Sequence, residues 1–135
     1  MTRDHIEIYT DGACSGNPGP AGAGAILRWN GHEKELSVYL GEATSNIAEL
    51  MAVRLALESV KNRKIPVRIH LDSTYTLGIL SLGWKAKANQ QLVAEVRALV
   101  KTFTSISFIK VPGHAGVPLN ERADELARAA IERGG

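Results

Sequence analysis

Four carboxylates stand where packing alone would seldom put them: Asp11, Glu49, Asp72 and Asp124. Asp11 closes the alternating stretch Ile6–Thr10, and Asp72 closes a second one, Val67–Leu71. If those strands are parallel neighbours, their C-terminal ends lie side by side. Both carboxylates then enter the crevice where α/β sheets hold ligands. Glu49 falls in the first turn of a helical pattern with Ala52, Val53 and Ala56 on its own stripe, and Asp124 has Ala127 and Ile131 below it in the same way. A carboxylate on an apolar stripe needs a partner, because an unpaired buried charge is costly. Each acid also has an ordinary explanation. Asp11-Gly12 is a turn dipeptide, Asp72-Ser73 suits a helix cap, and Glu49 and Asp124 suit the positive end of a helix. Together, however, four converging acids repel unless a cation neutralises them. Oxygen ligands without cysteine or paired histidines select a hard ion such as Mg²⁺ or Mn²⁺. Two such ions among carboxylates are a device for in-line displacement at phosphorus.

The stretch Gly12-Ala-Cys-Ser-Gly-Asn-Pro-Gly-Pro20 is rich in glycine but lacks the Gly-Lys-Ser/Thr ending of a nucleotide loop. It precedes a strand, which argues against a dinucleotide fingerprint. It reads as one elaborate turn over Asp11–Gly24, offering main-chain N–H groups beside the acids to a sugar-phosphate chain. His114, in Gly113-His-Ala-Gly116, is a loop imidazole able to carry protons near neutral pH. His5, His32 and His70 form no constellation in the sequence, and Cys14 has no histidine partner that would make it a nucleophile.

The elements that must position these groups follow from periodicity. Strands are expected at about 5–10, 22–29 and 32–40, with Asn30-Gly31 as a hairpin turn between the last two. A helix follows at 45–61, capped by Thr44 or Ser45, then a strand opened by Pro66. A short helix at 73–81, a helix at 89–102, a strand at 106–111 and a last helix at 119–132 complete the order βββαβααβα. That order predicts an α/β fold, a mixed sheet covered by helices, with a parallel unit joining the first strand, the first helix and the strand ending at Asp72.

The 135 residues amount to one domain, residues 1–135. With 44% hydrophobic and 22% charged residues, disorder and coiled coil are excluded. No apolar run reaches the roughly 20 residues of a membrane helix, and the chain starts without a secretory pattern. The single cysteine excludes an internal disulfide and points to a reducing, cytoplasmic setting. The net charge of +2 is too small for a protein held on nucleic acid by charge alone. The bases are local: Arg54, Lys61, Arg63, Lys64 and Arg68 form one cluster, and Lys85 and Lys87 flank Trp84 in another.

Tyr9-Thr-Asp-Gly-Ala-Cys-Ser-Gly-Asn-Pro-Gly-Pro20, Asn46-Ile-Ala-Glu-Leu-Met-Ala52, Leu71-Asp-Ser-Thr-Tyr75, Val111-Pro-Gly-His-Ala-Gly116 and Asn120-Glu-Arg-Ala-Asp-Glu-Leu-Ala127 closely resemble the motifs of type 1 ribonuclease H, in the family's order and over nearly the whole chain. The resemblance implies the ribonuclease H-like fold, a five-stranded mixed β-sheet flanked by helices. It also implies metal-dependent endonucleolytic cleavage of the RNA strand of an RNA/DNA hybrid, leaving 5′-phosphate and 3′-hydroxyl ends. By match, Asp11, Glu49, Asp72 and Asp124 are the metal-binding acids for two Mg²⁺ ions, with Mn²⁺ as a substitute, and His114 is the mobile-loop histidine. Gly12, Cys14, Gly16, Asn17, Thr44 and Asn46 fall where the family meets its substrate, and Glu49 with its neighbours reads the RNA 2′-hydroxyl. Many members carry a lysine-rich basic protrusion. Here only Ser81–Asn89 fills its place, with Trp84, Lys85 and Lys87 as a reduced version that sets an aromatic ring against a DNA sugar and lysines on phosphates. No appended hybrid-binding domain is expected. The expected partner is an RNA/DNA hybrid, with no membrane and no obligate protein partner, and the expected state is a monomer. Integrases and transposases share such an acid-rich sheet by analogy only. A hybrid-binding module without catalysis would be expected to lack one of the four acids, and all four are present.

Overall fold

The computed structural model describes residues 5–112 and 117–134. Its centre is a five-stranded sheet in the order β3-β2-β1-β4-β5. The strands are β1 (Ile6–Cys14), β2 (Gly19–Trp29), β3 (His32–Ala43), β4 (Val67–Leu71) and β5 (Ile106–Lys110). The first three form an antiparallel meander. β4 pairs parallel with β1 and with β5. The helices are α1 (Ser45–Glu58), α2 (Thr74–Ser81), α3 (Gln90–Lys101) and α4 (Pro118–Gly134). The order is βββαβααβα, and α1 lies between the parallel partners β1 and β4 as a crossover.

Alternation decides which face of the sheet is dry. Ile6 and Ile8 of β1, Ala25 and Leu27 of β2, and Val67, Ile69 and Leu71 of β4 point to one side. There they meet Val53, Ala56 and Leu57 of α1 and Val96 of α3. Ile8, Ile69 and Leu57 are wholly buried, and each such side chain contributes about 2 kcal/mol relative to exposure. The other face of β1 and β2 carries α4, which buries Ala123, Leu126, Ala127 and Ala130. Beyond α4 this face is more open. There Tyr9 stacks on His70 with ring centroids 4.3 Å apart, and His70 Nε2 lies 2.7 Å from Glu7 Oε1.

Two differences from the sequence reading matter for the site. The Gly/Pro stretch is mostly sheet: β1 continues past Asp11 to Cys14, pairing Asp11 with Gly24 and Cys14 with Ala21, and only Ser15–Pro18 turns. The glycines serve close approach instead. A Cβ on Gly12 would lie 2.5 Å from the Ala48 carbonyl carbon, one on Gly22 2.2 Å from Ala127 O, and one on Gly24 2.2 Å from Ala123 O. These positions let α1 and α4 press against the sheet backbone from opposite faces. Second, α1 stops at Glu58. Ser59 turns the chain off, its N–H donating to Leu55 O and Ala56 O, and Val60 is buried from outside the helix. The remaining boundaries agree with expectation to within about three residues. No helix among the described residues is long and apolar enough to cross a membrane.

Candidate active site

The four acids come from four elements. Asp11 lies on β1, two residues past the last rung it shares with β4, Tyr9 against His70. Asp72 is the first residue after β4. Carboxylate oxygens of Asp11, Glu49 and Asp72 lie within 4.8 Å of one another. Asp124 lines a pocket of about 330 Å³ together with Asp11, Asp72, Asn120, Glu121, Glu125 and Arg128.

Glycine packing accounts for this convergence. α1 presses on Gly12, and the Gly12 N–H donates both to Asp11 Oδ1 (3.0 Å) and to Glu49 Oε1 (3.1 Å). α4 presses on Gly24, the cross-strand partner of Asp11, through Ala123, whose neighbour is Asp124. So Glu49 is placed by backbone contact with the strand that carries Asp11, and Asp124 by backbone contact with that strand's neighbour, β2.

The ordinary explanations of the single acids fail on this geometry. Asp11-Gly12 is paired strand, not a turn. The cap of α2 is Ser73, whose Oγ accepts from the Thr76 N–H at 3.1 Å, so Asp72 is not needed there. Glu49 is the fifth residue of α1, not in its first turn, and Asp124 is the seventh of α4. The helix-dipole benefit fades within the first turn.

Such crowding has an electrostatic signature. Asp11 is only 5% exposed. Burial, then the charges of Asp72 and Asp124, push its pKa from the usual carboxylate range up to about 7. Glu49 is raised well above its ordinary value, first by burial and then by Asp11 and Asp72. Carboxyls driven toward holding protons will exchange them for a cation of higher charge, and an all-oxygen donor set suits a hard divalent ion. These side chains therefore fit divalent metal.

The other sequence-selected residues take varied places. Thr44 caps α1, its Oγ1 accepting from the Ile47 N–H at 3.2 Å. Asn17 Oδ1 accepts from the Ser45 N–H at 3.0 Å, tying the Ser15–Pro18 turn to the start of α1. Cys14 Sγ faces the carbonyls of Gly16, Gly19 and Ala43, and Gly16 takes φ +91° in the turn. Asn46 is exposed, as are Lys85 and Lys87, and Trp84 is 44% exposed. The N–H of Gly12 is spent on carboxylates, so it is not the open cradle expected beside the acids. His114 lies outside the described residues. Of the first basic cluster, Arg54 pairs with Glu58 and Glu95, Arg63 covers the Phe103 ring, and Arg68 lies 3.6 Å from Glu7.

Sequence reasoning missed two residues here. Arg128 donates to Asp124 Oδ2 at 2.9 Å, and its i+4 spacing was the available signal. Asn120, one turn before Asp124, is 4% exposed and lines the same pocket. A buried amide at that spacing was a second signal.

A sequence model described as RNase H matches residues 3–132. Ribonuclease H from Brucella ovis is 46% identical over 143 residues, covering 94% of this chain and 90% of its own. Among solved structures, LC11-RNase H1, isolated from compost by a metagenomic approach, is 32% identical. It covers 97% of this chain and 98% of its own, with a TM-score of 0.83. LC11-RNase H1 in complex with an RNA/DNA hybrid is 29% identical over 96% of this chain and 98% of its own, with a TM-score of 0.78. With a five-stranded mixed sheet flanked by helices and matches spanning nearly its full length, the chain belongs to the RNase H family, as an enzyme of the type 1 class.

Proposed function

We propose that the chain, residues 1–135, is a single ribonuclease H domain that hydrolyses the RNA strand of RNA/DNA hybrids, leaving 5′-phosphate and 3′-hydroxyl ends. The observation that carries this reading is the convergence of Asp11, Glu49 and Asp72 within 4.8 Å, with Asp124 on the same pocket. These four side chains would hold two Mg²⁺ ions, or Mn²⁺ in their place. Bound there, the ions would supply activation of a water for attack and charge stabilisation at the leaving 3′-oxygen. Asp11 is the acid in electrostatic contact with the other three, and its carboxylate would be the central one in holding the metal. Glu49 is held by the Gly12 N–H and faces the RNA 2′-hydroxyl, the group that distinguishes RNA from DNA. Gly12, Cys14, Gly16 and Asn17, with Thr44 and Asn46 at the start of α1, form the floor along which the RNA strand runs. Trp84, Lys85 and Lys87 take the DNA strand, the ring against a sugar and the ammonium groups on phosphates. His114 assists proton transfer or product departure. The enzyme acts in the cytoplasm as a monomer with no obligate protein partner.

The test is a gel assay on one end-labelled RNA strand, offered as hybrid, as RNA duplex and as single strand, with Mg²⁺ and with EDTA, beside D11N. Expected is cutting of the hybrid alone, dependent on divalent ion, and lost by at least about a thousandfold in a folded D11N. Equal cutting of RNA duplex would overturn the substrate class. Substantial D11N activity would overturn the metal assignment.

A further inference from the structure

The segment between α2 and α3 forms neither helix nor strand, yet it is tethered firmly. Gly83 takes φ +72° and turns the chain back toward α2. The Trp84 N–H then donates to Gly78 O at 3.0 Å. The indole lies on Gly78 so closely that a Cβ there would be 2.1 Å from the ring. Gly78 is one turn past Thr74, about 6 Å along the helix axis, and α2 begins immediately beside Asp72. Ala86 packs against the small cluster of Leu50, Ile79 and Val93.

The remaining tether is Arg97 of α3. Its Nε and Nη2 donate to Ile79 O at 3.1 and 3.0 Å, and Nη2 also donates to Trp84 O at 2.5 Å. Ile79 O is among the last carbonyls of α2, which lack helical partners, and a cation suits that negative end. Arg54, Arg122 and Arg128 bond to carboxylates. The bonds of Arg97 go to two main-chain carbonyls, so its guanidinium joins the end of α2 to the loop that carries Trp84.

We propose that Arg97 is a positioning residue for substrate. It fixes the 82–87 segment so that the exposed side of Trp84 and the ammonium groups of Lys85 and Lys87 meet the DNA strand of the hybrid. The proposal rests on the reading that this segment grips the hybrid. Arg97 acts through that segment, its fork being occupied by carbonyls rather than phosphate.

The test uses the full chain with W29F, which leaves Trp84 as its one tryptophan. Iodide quenching reports how firmly Trp84 is held, and steady-state kinetics on a hybrid give KM and kcat. In R97A, quenching should rise and KM should increase about fivefold, with kcat within about twofold. R97K keeps the charge but cannot reproduce the fork, and should show intermediate quenching with KM raised about threefold. R97K decides the matter if R97A does not fold by circular dichroism. Unmoved quenching and KM in either folded variant would overturn the proposal. So would a raised KM with unmoved quenching and a salt slope reduced by about one, since Arg97 would then touch a phosphate itself. W84A separates the two layers. It should raise KM about tenfold. An unchanged KM there overturns the grip and the proposal with it, whereas a raised KM in W84A and an unmoved one in R97A overturns only the part assigned to Arg97.

Discussion

The acid centre and the 82–89 segment are held by opposite means. At the centre, backbone presses on backbone: α1 on Gly12, and α4 on Gly22 and Gly24, leave no room for a methyl group. No single side chain sets the distance between Asp11 and the helix-borne acids. The 82–89 segment is exposed over most of its length and is anchored at few points, chiefly the Trp84 ring on Gly78 and the Arg97 fork. Reaction geometry tolerates little error, because displacements of about 1 Å cost about a hundredfold in rate. A groove that follows a sugar-phosphate chain tolerates more. The difference teaches that precision resides in glycine packing, which side-chain motion cannot relax, whereas the proposed grip would rest on side chains that can adjust.

The largest effect expected from a substitution outside the acids breaks the rigid region. In G24A the new methyl group must displace α4 from Ala123 O, and Asp124 moves with it. Cleavage should fall about a hundredfold, and overpacking should destabilise the fold by about 1–3 kcal/mol. A G24A enzyme with unchanged rate and melting temperature would remove the case for backbone-set geometry.

A smaller effect follows from the raised pKa of Asp11. Its folded value near 7 exceeds the unfolded carboxylate value, so between about pH 4 and pH 7 the folded state binds a proton that the unfolded state has lost. Stability in EDTA should therefore fall as pH rises through that window, by on the order of 3 kcal/mol. Melting curves at pH 5 and pH 8 measure it. D11N should flatten the dependence, and adding Mg²⁺ at pH 8 should raise the melting temperature of the unsubstituted chain but not of D11N. A pH-independent melting temperature in EDTA would mean that the acids are better solvated than their burial indicates.

The smallest effect sharpens the contrast from the flexible side. K85A/K87A should weaken hybrid binding several-fold and lower the slope of log K against log salt by about one for each phosphate that is no longer neutralised, with little change in kcat. If the slope does not move, the protein meets the phosphates elsewhere.

What could be read from the sequence divides along the same line. Asp11 and Asp72 were legible because alternation marks strands and strand ends, and Glu49 and Asp124 because each interrupts an apolar stripe. The fold order and the sheet class followed from the same periodicities. The glycines of Gly12–Gly24 were misread as one turn. A glycine that permits tight packing looks the same in sequence as one that permits positive φ, and only the approach of α1 and α4 distinguishes them. Of the glycines in that stretch, only Gly16 has positive φ. Arg97 was invisible for a related reason: it acts across eighteen positions on a carbonyl, and carbonyls have no sequence signature. Arg128 and Asn120 lie one turn from Asp124 and were within reach of helical arithmetic.

The outer strand β3 has a further consequence for the molecule as a solute. A twelve-residue strand at the margin of a sheet is an invitation to pair with another chain. Its first half carries charge in His32-Glu33-Lys34-Glu35. Glu35 is gripped through both oxygens by Arg122, each bond 2.9 Å. Further on, Arg133 donates to the Ser37 carbonyl at 2.9 Å and to its hydroxyl at 3.0 Å, while that hydroxyl donates to Leu126 O. Both arginines belong to α4. The helix that brings Asp124 to the acids thus also braces the rim against edge-to-edge pairing, and losing Arg133 would cost colloidal stability before it cost chemistry.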